Sequence, residues 1–211
     1  MAYLMGRKIG MTQTFLENSG VTAPVTVIKA TPCKVLDRRT MDRDGYEASI
    51  IGIEEIEGAK VKHKARLGFF KKAGQGVYRM IREFRGAAVE PGTEYTVKDF
   101  AKGERVRLEG QTKGKGWASH IKRWNFGTGR ESHGGKAVRS LGAVAMCQWP
   151  GRVLPGKKMS GRMGNNKMTF REVEVVGTVP EENLILVKGP VPGGRNDLVA
   201  LSKKVEEKKT A

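Results

Sequence analysis

Residues 112–167 read TKGKGWASHIKRWNFGTGRESHGGKAVRSLGAVAMCQWPGRVLPGKKMSGRMGNNK. This stretch holds 12 Lys or Arg and one acidic residue, together with 11 of the 28 Gly and all three Trp. Only six of its residues are Leu, Ile or Val, which is too few for a hydrophobic core, and its glycines raise the entropy cost of ordering the chain. We therefore predict a long, irregular, basic loop that is ordered by a polyanionic partner, with short locally ordered pieces that include a helical turn at Trp117–Trp124.

The excess positive charge of the chain is concentrated in this loop. The 211 residues carry a net charge of +17, and the 155 residues outside the loop hold 27 basic and 21 acidic side chains. Concentrated charge is the electrostatic footprint of a nucleic-acid-binding surface. Flat rings between the cations favour the same partner, because unstacked bases stack on aromatic side chains.

Cysteine and histidine are too scattered to predict a metal site. Cys33 and Cys147 form no CxxC pair, and His63, His120 and His133 lie far apart in the sequence. Free thiols in a reducing compartment fit these two cysteines best.

The N-terminus lacks the apolar core of a signal peptide, and no apolar run reaches 18 residues. We expect a cytoplasmic protein without a membrane partner.

The remainder of the chain is predicted to be mostly β. Two β-rich runs, Cys33–Arg39 and Tyr46–Ile53, flank an Asp-Gly step at Asp44-Gly45, which is typical of a hairpin. Residues 60–72 are predicted to be a short helix or a loop. Further strands are predicted at Val21–Ala30, Val77–Phe84, Tyr95–Val97, Glu104–Glu109, Met168–Thr178, Leu184–Val187 and Asp197–Leu201. We predict one discontinuous β-barrel or sandwich from residues 1–111 and 168–211, with a frayed tail after Lys203 and residues 112–167 as a separate loop.

Two stretches resemble phosphate-binding motifs, but each lacks residues that the motif requires. Gly151–Lys158 has the spacing of a P-loop, but it lacks the Ser or Thr that holds magnesium, and Pro155 removes a backbone donor. The Gly127-Thr-Gly129 step lacks the third glycine of a dinucleotide fingerprint. Neither motif predicts a nucleotide cofactor.

The order of several short motifs resembles the bacterial large-subunit ribosomal protein L-three family over nearly the whole chain. The motifs are Gly6-Arg-Lys-Ile-Gly-Met-Thr12, Pro24-Val-Thr-Val27, Asp44-Gly-Tyr46, Thr112-Lys-Gly-Lys-Gly116, Lys122-Arg-Trp-Asn-Phe126, Ser132-His-Gly134, Gln148-Trp-Pro-Gly151, Gly156-Lys-Lys-Met159 and Met163-Gly-Asn165. The resemblance implies a six-stranded β-barrel of the translation-protein type that carries a long, irregular, basic loop extension. It also implies a structural constituent of the large ribosomal subunit that binds rRNA directly near the 3′ end and helps to nucleate early subunit assembly.

The resemblance further implies that the loop threads rRNA toward the peptidyl transferase centre, with a nearly uncharged tip at Cys147, Gln148 and Trp149. In some bacterial members the matching Gln is N5-methylated by a dedicated methyltransferase, which makes Gln148 a candidate methylation site. This sequence departs from many members at the tip. Met146 and Cys147 precede Gln148, where many members carry small or amide residues, and Trp149 follows it, where many members carry Thr. The expected protein neighbours are the fourteenth and nineteenth of the numbered large-subunit proteins.

Residue type and the matched motifs together predict the rRNA contacts. Cations are expected on phosphates, rings on bases, and amide or imidazole groups on either. The predicted contact residues are Lys8, Lys113, Lys115, Trp117, His120, Lys122, Arg123, Trp124, Asn125, His133, Lys136, Arg139, Arg152, Lys157, Lys158, Arg162 and Asn165. No cofactor is expected beyond magnesium ions associated with rRNA.

Two other functions fit parts of the sequence. A non-ribosomal RNA chaperone also needs a basic, glycine-rich segment with aromatic residues. An enzyme would use the loop as a lid over its active site, with His120 and His133 beside Ser119 and Ser132. A catalytic His needs a preorganised nucleophile and an orienting acid, and the loop offers only Glu131. We therefore predict a structural RNA-binding protein and not a catalyst.

Overall fold

The computed structural model describes residues 2–15, 20–58, 63–86 and 89–203. They form two compact units: one runs to Gln111 and resumes at Lys167, and the other is Thr112–Asn166. We call the first the body and the second the extension. Lys167 belongs to the body because it pairs with Gln111 on the neighbouring strand, so the division falls one residue earlier than the sequence prediction.

Six strands of the body close into a ring of antiparallel pairs. The ring order is β1-β12-β7-β10-β11-β2, so every strand has two hydrogen-bonded neighbours. A closed sheet leaves no edge strand exposed for unwanted pairing. The strands are β1 (Tyr3–Phe15), β2 (Thr22–Lys29), β7 (Arg105–Gln111), β10 (Lys167–Val179), β11 (Leu184–Lys188) and β12 (Leu198–Lys203).

A second antiparallel sheet was not separated from the ring by the sequence prediction. Its order is β5-β4-β3-β6, with β3 (Cys33–Arg39), β4 (Ala48–Glu55), β5 (Tyr78–Arg85) and β6 (Glu94–Tyr95). The predicted pairing of β3 with β4 is confirmed. The connection between them contains the short helix α1 (Met41–Asp44), and Gly45 ends it in the left-handed region at φ 77°. Of the range 60–72, residues 60–62 lie outside the described residues, and the helical alternative is confirmed for the remainder by α2 (Lys64–Ala73).

The prediction missed β1, although it is one of the two longest strands. The first four residues of β1, Tyr3 to Gly6, are all buried, so apolar and polar residues do not alternate there as they do in a strand with one exposed face. The reason is that Tyr3 lies 4.6 Å from Phe84 and 6.5 Å from Tyr95, measured between ring centroids, and thus packs against the second sheet as well. Gly6 fits because a Cβ there would meet Ile28 Cγ2 at 2.6 Å. The ring and the second sheet share one hydrophobic core.

An ion pair links the two sheets at the edge of this core. Arg7 of β1 donates from Nε to Glu54 Oε1 and from Nη2 to Glu54 Oε2, the latter at 3.0 Å, and Glu54 lies on β4. The hydrogen bonds from Arg7 hold the pKa of Glu54 below its usual value. A bidentate charge-assisted pair of this kind fixes both distance and orientation. It therefore ties β1 of the ring to β4 of the second sheet.

The predicted strand boundaries are otherwise close to those observed. Tyr95–Val97 is the least accurate, because the strand ends at Tyr95 and a turn of 3-10 helix occupies Val97–Asp99. The strand predicted to end before Gly110 continues to Gln111. The tail predicted to fray after Lys203 lies outside the described residues.

Candidate nucleic-acid interface

The extension begins and ends as two antiparallel arms. At its base the Thr112 amide donates to the Asn166 carbonyl at 2.9 Å, and the Asn165 amide donates back to the Thr112 carbonyl at 3.0 Å. Further along, the Lys115 and Met163 amides donate across the arms, each at 2.9 Å. The arms end in a two-stranded sheet of β8 (Trp117–Ala118) and β9 (Gly161–Arg162). The base is therefore regular, where the sequence predicted an irregular loop.

One glycine makes this close approach of the arms possible. Gly164 has φ 72°, and a Cβ on it would lie 2.1 Å from the carbonyl oxygen of Lys113. Only glycine avoids both the left-handed strain and the clash with backbone. The glycine content that suggested a loose segment thus serves at this position to build a defined one.

A short helix, α3 (His120–Trp124), follows the outgoing arm. The Ser119 hydroxyl caps it by accepting from the Ile121 amide, and Asn125 ends it in the left-handed region at φ 57°. His120 is only 6% exposed, and its ring lies 5.5 Å from that of Phe126. Together with Ala118 and Gly161, it is one of three buried residues in the fully described extension. His120 therefore packs inside the extension and presents little surface, whereas the sequence prediction treated it as an rRNA contact.

Trp124 joins α3 to the returning arm. Its indole Nε1 donates to the Met159 carbonyl at 2.9 Å, and the Arg123 guanidinium donates to the same oxygen at 3.3 Å. Arg123 and Lys158 lie 5.0 and 5.6 Å from the Trp124 ring centroid, which is cation–π distance. These contacts bring cations from two distant parts of the sequence to one ring that remains 39% exposed.

Between Asn125 and Ser160, all of which the structure describes, there is no helix or strand. Local hydrogen bonds define this part, such as the Gly129 amide to the Val138 carbonyl at 2.9 Å and Lys157 Nζ to the Ala143 carbonyl at 3.3 Å. Its middle, residues 141–151, carries no Lys, Arg, Asp or Glu. Met146, Cys147 and Trp149 are exposed there, the last to 82%. Gln148 beside them is exposed as well.

The cations of the extension are not neutralised within the protein. It holds 11 Lys or Arg and a single acid, Glu131. In the part of the chain that the structure describes, none of these cations forms an ion pair. The body differs, since many of its cations have acidic partners, as Arg39 has in Asp44 and Lys188 in Glu174. Unneutralised, exposed cations retain their full capacity to displace counterions from a polyanion.

The predicted contact residues divide into three groups. Most lie exposed on the extension: Lys113, Lys115, Trp117, Lys122, Trp124, Asn125, His133, Lys136, Arg139, Arg152, Lys157, Lys158, Arg162 and Asn165. Arg123 is half-buried beside Trp124, and His120 is buried. Lys8 lies in the body, where its ammonium donates to the Val191 carbonyl at 2.8 Å and the Gly193 carbonyl at 3.4 Å. Of the predicted contact residues, Lys8 therefore belongs to the body and all the others belong to the extension.

Sequence reasoning missed the residues that shape the extension. The Met159 carbonyl and the close approach at Gly164 depend on contacts between distant segments, which no local pattern reveals. Ser119, three residues before Lys122, is a readable helix-cap signal that was considered only for catalysis.

Burial raises the pKa of the Cys33 thiol to about 11, so at neutral pH this group is a packed thiol and not a thiolate.

No three His, Cys, Asp or Glu side chains come together as metal ligands within the described ranges. Among the same residues, no helix has the length and apolar character needed to span a membrane.

A body built on a closed β sheet, joined to a separate unit of unneutralised cations, is typical of the nucleic-acid-binding class of proteins. The family model of Ribosomal protein L3 matches residues 53–179. Proteins named large ribosomal subunit protein uL3 are similar over almost the whole chain. That of Thermotoga petrophila is 46% identical over 95% of this chain and 96% of its own length, and that of Petrotoga mobilis is 43% identical over 99% and 98%.

The chain belongs to the ribosomal protein L3 family. The resemblance found in the motifs is thereby confirmed. So is the prediction that the protein is ribosomal and not an enzyme, which removes the hypothesis of an active-site lid.

Proposed function

We propose that this protein is a structural constituent of the large ribosomal subunit that binds large-subunit rRNA directly through its extension. The observation that carries the proposal is the set of unneutralised cations on a unit with almost no acid. A folded domain with this charge repels itself unless a polyanion is present. The relatives named above are large-subunit proteins by name, which favours rRNA as that polyanion.

The two arms supply the cations and the backbone geometry for this contact. Lys113, Lys115 and Arg162 are exposed on paired arms whose spacing is fixed by hydrogen bonds. Preorganised cations lose less conformational freedom on binding than cations on a flexible loop. Trp117, which is 78% exposed, adds a ring on which an unstacked base can rest.

The uncharged middle of the extension has a different proposed role. Its exposed residues, Met146, Gln148 and Trp149, suit contact with bases and not with phosphates. On the family resemblance, this part would extend toward the peptidyl transferase centre, and Gln148, which is exposed, would be a candidate for N5-methylation by a glutamine methyltransferase.

The remaining parts of the proposal rest on the family resemblance. They are binding near the 3′ end of the rRNA, a nucleating role in early assembly in the cytoplasm, a ring of the translation-protein barrel type, and contacts with the fourteenth and nineteenth large-subunit proteins. Any magnesium at the interface would be bound by rRNA.

A sedimentation experiment tests the proposal against the RNA chaperone alternative. Cell extract is separated on a sucrose gradient in high salt, which removes loosely bound proteins, and the chain is quantified against total large-subunit protein. We expect one copy per large subunit and almost none at the top of the gradient. A chaperone would bind transiently, so release into the top fractions in high salt would contradict the proposal.

A further inference from the structure

The helix α2 is attached to the body by one face. Phe70 is 2% exposed and packs with Leu36, Ile50 and Tyr78 in a small hydrophobic cluster. Arg66 donates from its guanidinium to the Tyr78 carbonyl at 3.0 Å and to the Arg79 carbonyl, and it lies 5.7 Å from the Phe70 ring centroid. The orientation of α2 on the second sheet is therefore fixed.

The opposite face of α2 carries only cations and small residues. With 3.6 residues per turn, Lys64, Ala65, Gly68, Lys71 and Lys72 lie on one stripe of the helix, and all five are exposed. The helix contains no acid. Within the described ranges, none of its three lysines has an ion pair or a hydrogen bond from its side chain. The stripe is thus an unneutralised cationic surface on the body.

The first turn and the middle of α2 disfavour the helix, whereas Lys71 and Lys72 suit its C-terminal end. Lys64 and Arg66 lie in the first turn, where the helix dipole disfavours positive charge, and His63 provides no side-chain cap. A glycine in the middle of a helix is less favourable than alanine, because it loses more conformational freedom on folding. Gly68 is not required by packing, because a Cβ there would meet nothing within 4 Å. Local choices that oppose the fold are expected where a surface serves a function.

We propose that the exposed face of α2 is a second RNA-binding surface, on which Lys64, Lys71 and Lys72 contact phosphates and Gly68 lets the RNA backbone approach closely. The inference rests on the proposed function in taking large-subunit rRNA as the partner. Three exposed cations in two turns match a short run of phosphates in charge and length. A membrane surface fits less well, since the phenylalanines that would insert are directed into the body, Phe70 being buried.

The test uses the full chain and a large-subunit rRNA fragment, with affinity measured at several salt concentrations. The α2 variant is Lys64→Gln, Lys71→Gln and Lys72→Gln. We expect the slope of log K against log salt to become less negative by about 2 to 3, at about 0.7–0.9 for each lost phosphate contact. The matched control replaces Lys29, Lys98 and Arg195, which are also exposed on the body, by Gln. A slope change no larger than that of the control overturns the proposal, as it would if α2 binds an acidic protein.

Two further variants separate this inference from the proposed function. Gly68→Gln leaves the charge unchanged and adds bulk in open space. We expect this variant to fold fully and to bind the rRNA fragment more weakly. Wild-type affinity would overturn the proposal that the RNA backbone approaches closely at Gly68. Lys113→Gln, Lys115→Gln and Arg162→Gln report on the extension alone. If only this extension variant loses slope, the α2 proposal fails by itself. If only the α2 variant loses slope, the proposed role of the extension fails and the α2 surface stands.

Discussion

Replacing residues 113–165 by Asn-Gly is expected to leave a folded body that has lost most of its affinity for large-subunit rRNA. The body should fold because its main hydrophobic core contains no residue of the extension. The new connection should close because Gln111 pairs with Lys167, and the Thr112 amide bonds to the Asn166 carbonyl. Asn-Gly is the preferred two-residue hairpin turn between such strands.

The size of the loss follows from the charge removed. The excised segment contains all 11 cations of the extension. If about ten of them contact phosphates, the full chain should show a slope of log K against log salt of about −7 to −9, and the shortened chain should lose most of it. Between 50 and 200 mM salt, this slope predicts that the affinity of the full chain falls roughly ten-thousandfold or more, and the shortened chain should lose most of this dependence.

Filter binding with a purified rRNA fragment measures both quantities, and circular dichroism checks that the body has kept its β structure. A variant in which the same 11 cations are Gln, without excision, is the matched control for charge alone. If the shortened chain binds with wild-type affinity and slope, the extension is not the main rRNA-binding unit.

Gly164→Ala is expected to weaken rRNA binding at least about tenfold without changing the charge of the protein. The left-handed backbone costs alanine about 1–2 kcal/mol, and the added Cβ would lie 2.1 Å from the Lys113 carbonyl oxygen. The arms must then separate, which weakens the hydrogen bonds of the Lys115 and Met163 amides. A penalty of about 1.4 kcal/mol corresponds to a tenfold loss of affinity.

Hydrogen exchange measures the separation of the arms directly. We expect faster exchange at Lys115 and Met163 in Gly164→Ala, together with the loss of affinity. Gly127→Ala is the matched control, since a Cβ at Gly127 meets nothing within 4 Å and its φ does not require glycine. Faster exchange with unchanged affinity would show that the paired arms are not needed for binding.

Much of the fold could be predicted from sequence because many strands carry local signals. Leu184–Val187 is a continuous apolar run and β3 matches its predicted bounds, Cys33–Arg39. β1 could not be predicted in this way, since it packs against two sheets and Gly6 interrupts its apolar pattern. The separation of the second sheet from the ring is likewise a property of pairing, which local patterns do not encode.

The extension shows the same limit. Composition alone predicts a basic segment, because net charge needs no knowledge of structure. Composition also predicted looseness, and there it was wrong at the base, where Gly164 and backbone pairing between the arms create order. The imidazole of His120 resembles a surface donor in the sequence, but its contact with Phe126 makes it part of a small core. Contacts between distant residues decided the first case, whereas the second depends on a short-range ring contact that residue type alone does not reveal.

The proposed function requires that the cations of the extension contact rRNA in the assembled subunit. Quantitative lysine acetylation measures this directly, by comparing the free protein with intact large subunits and normalising to unfolded samples. Lys113, Lys115, Lys122, Lys136, Lys157 and Lys158 are all exposed in the free chain. We predict that they react readily in the free protein and are strongly protected in the subunit. Equal reactivity of these six lysines in both states would contradict the claim.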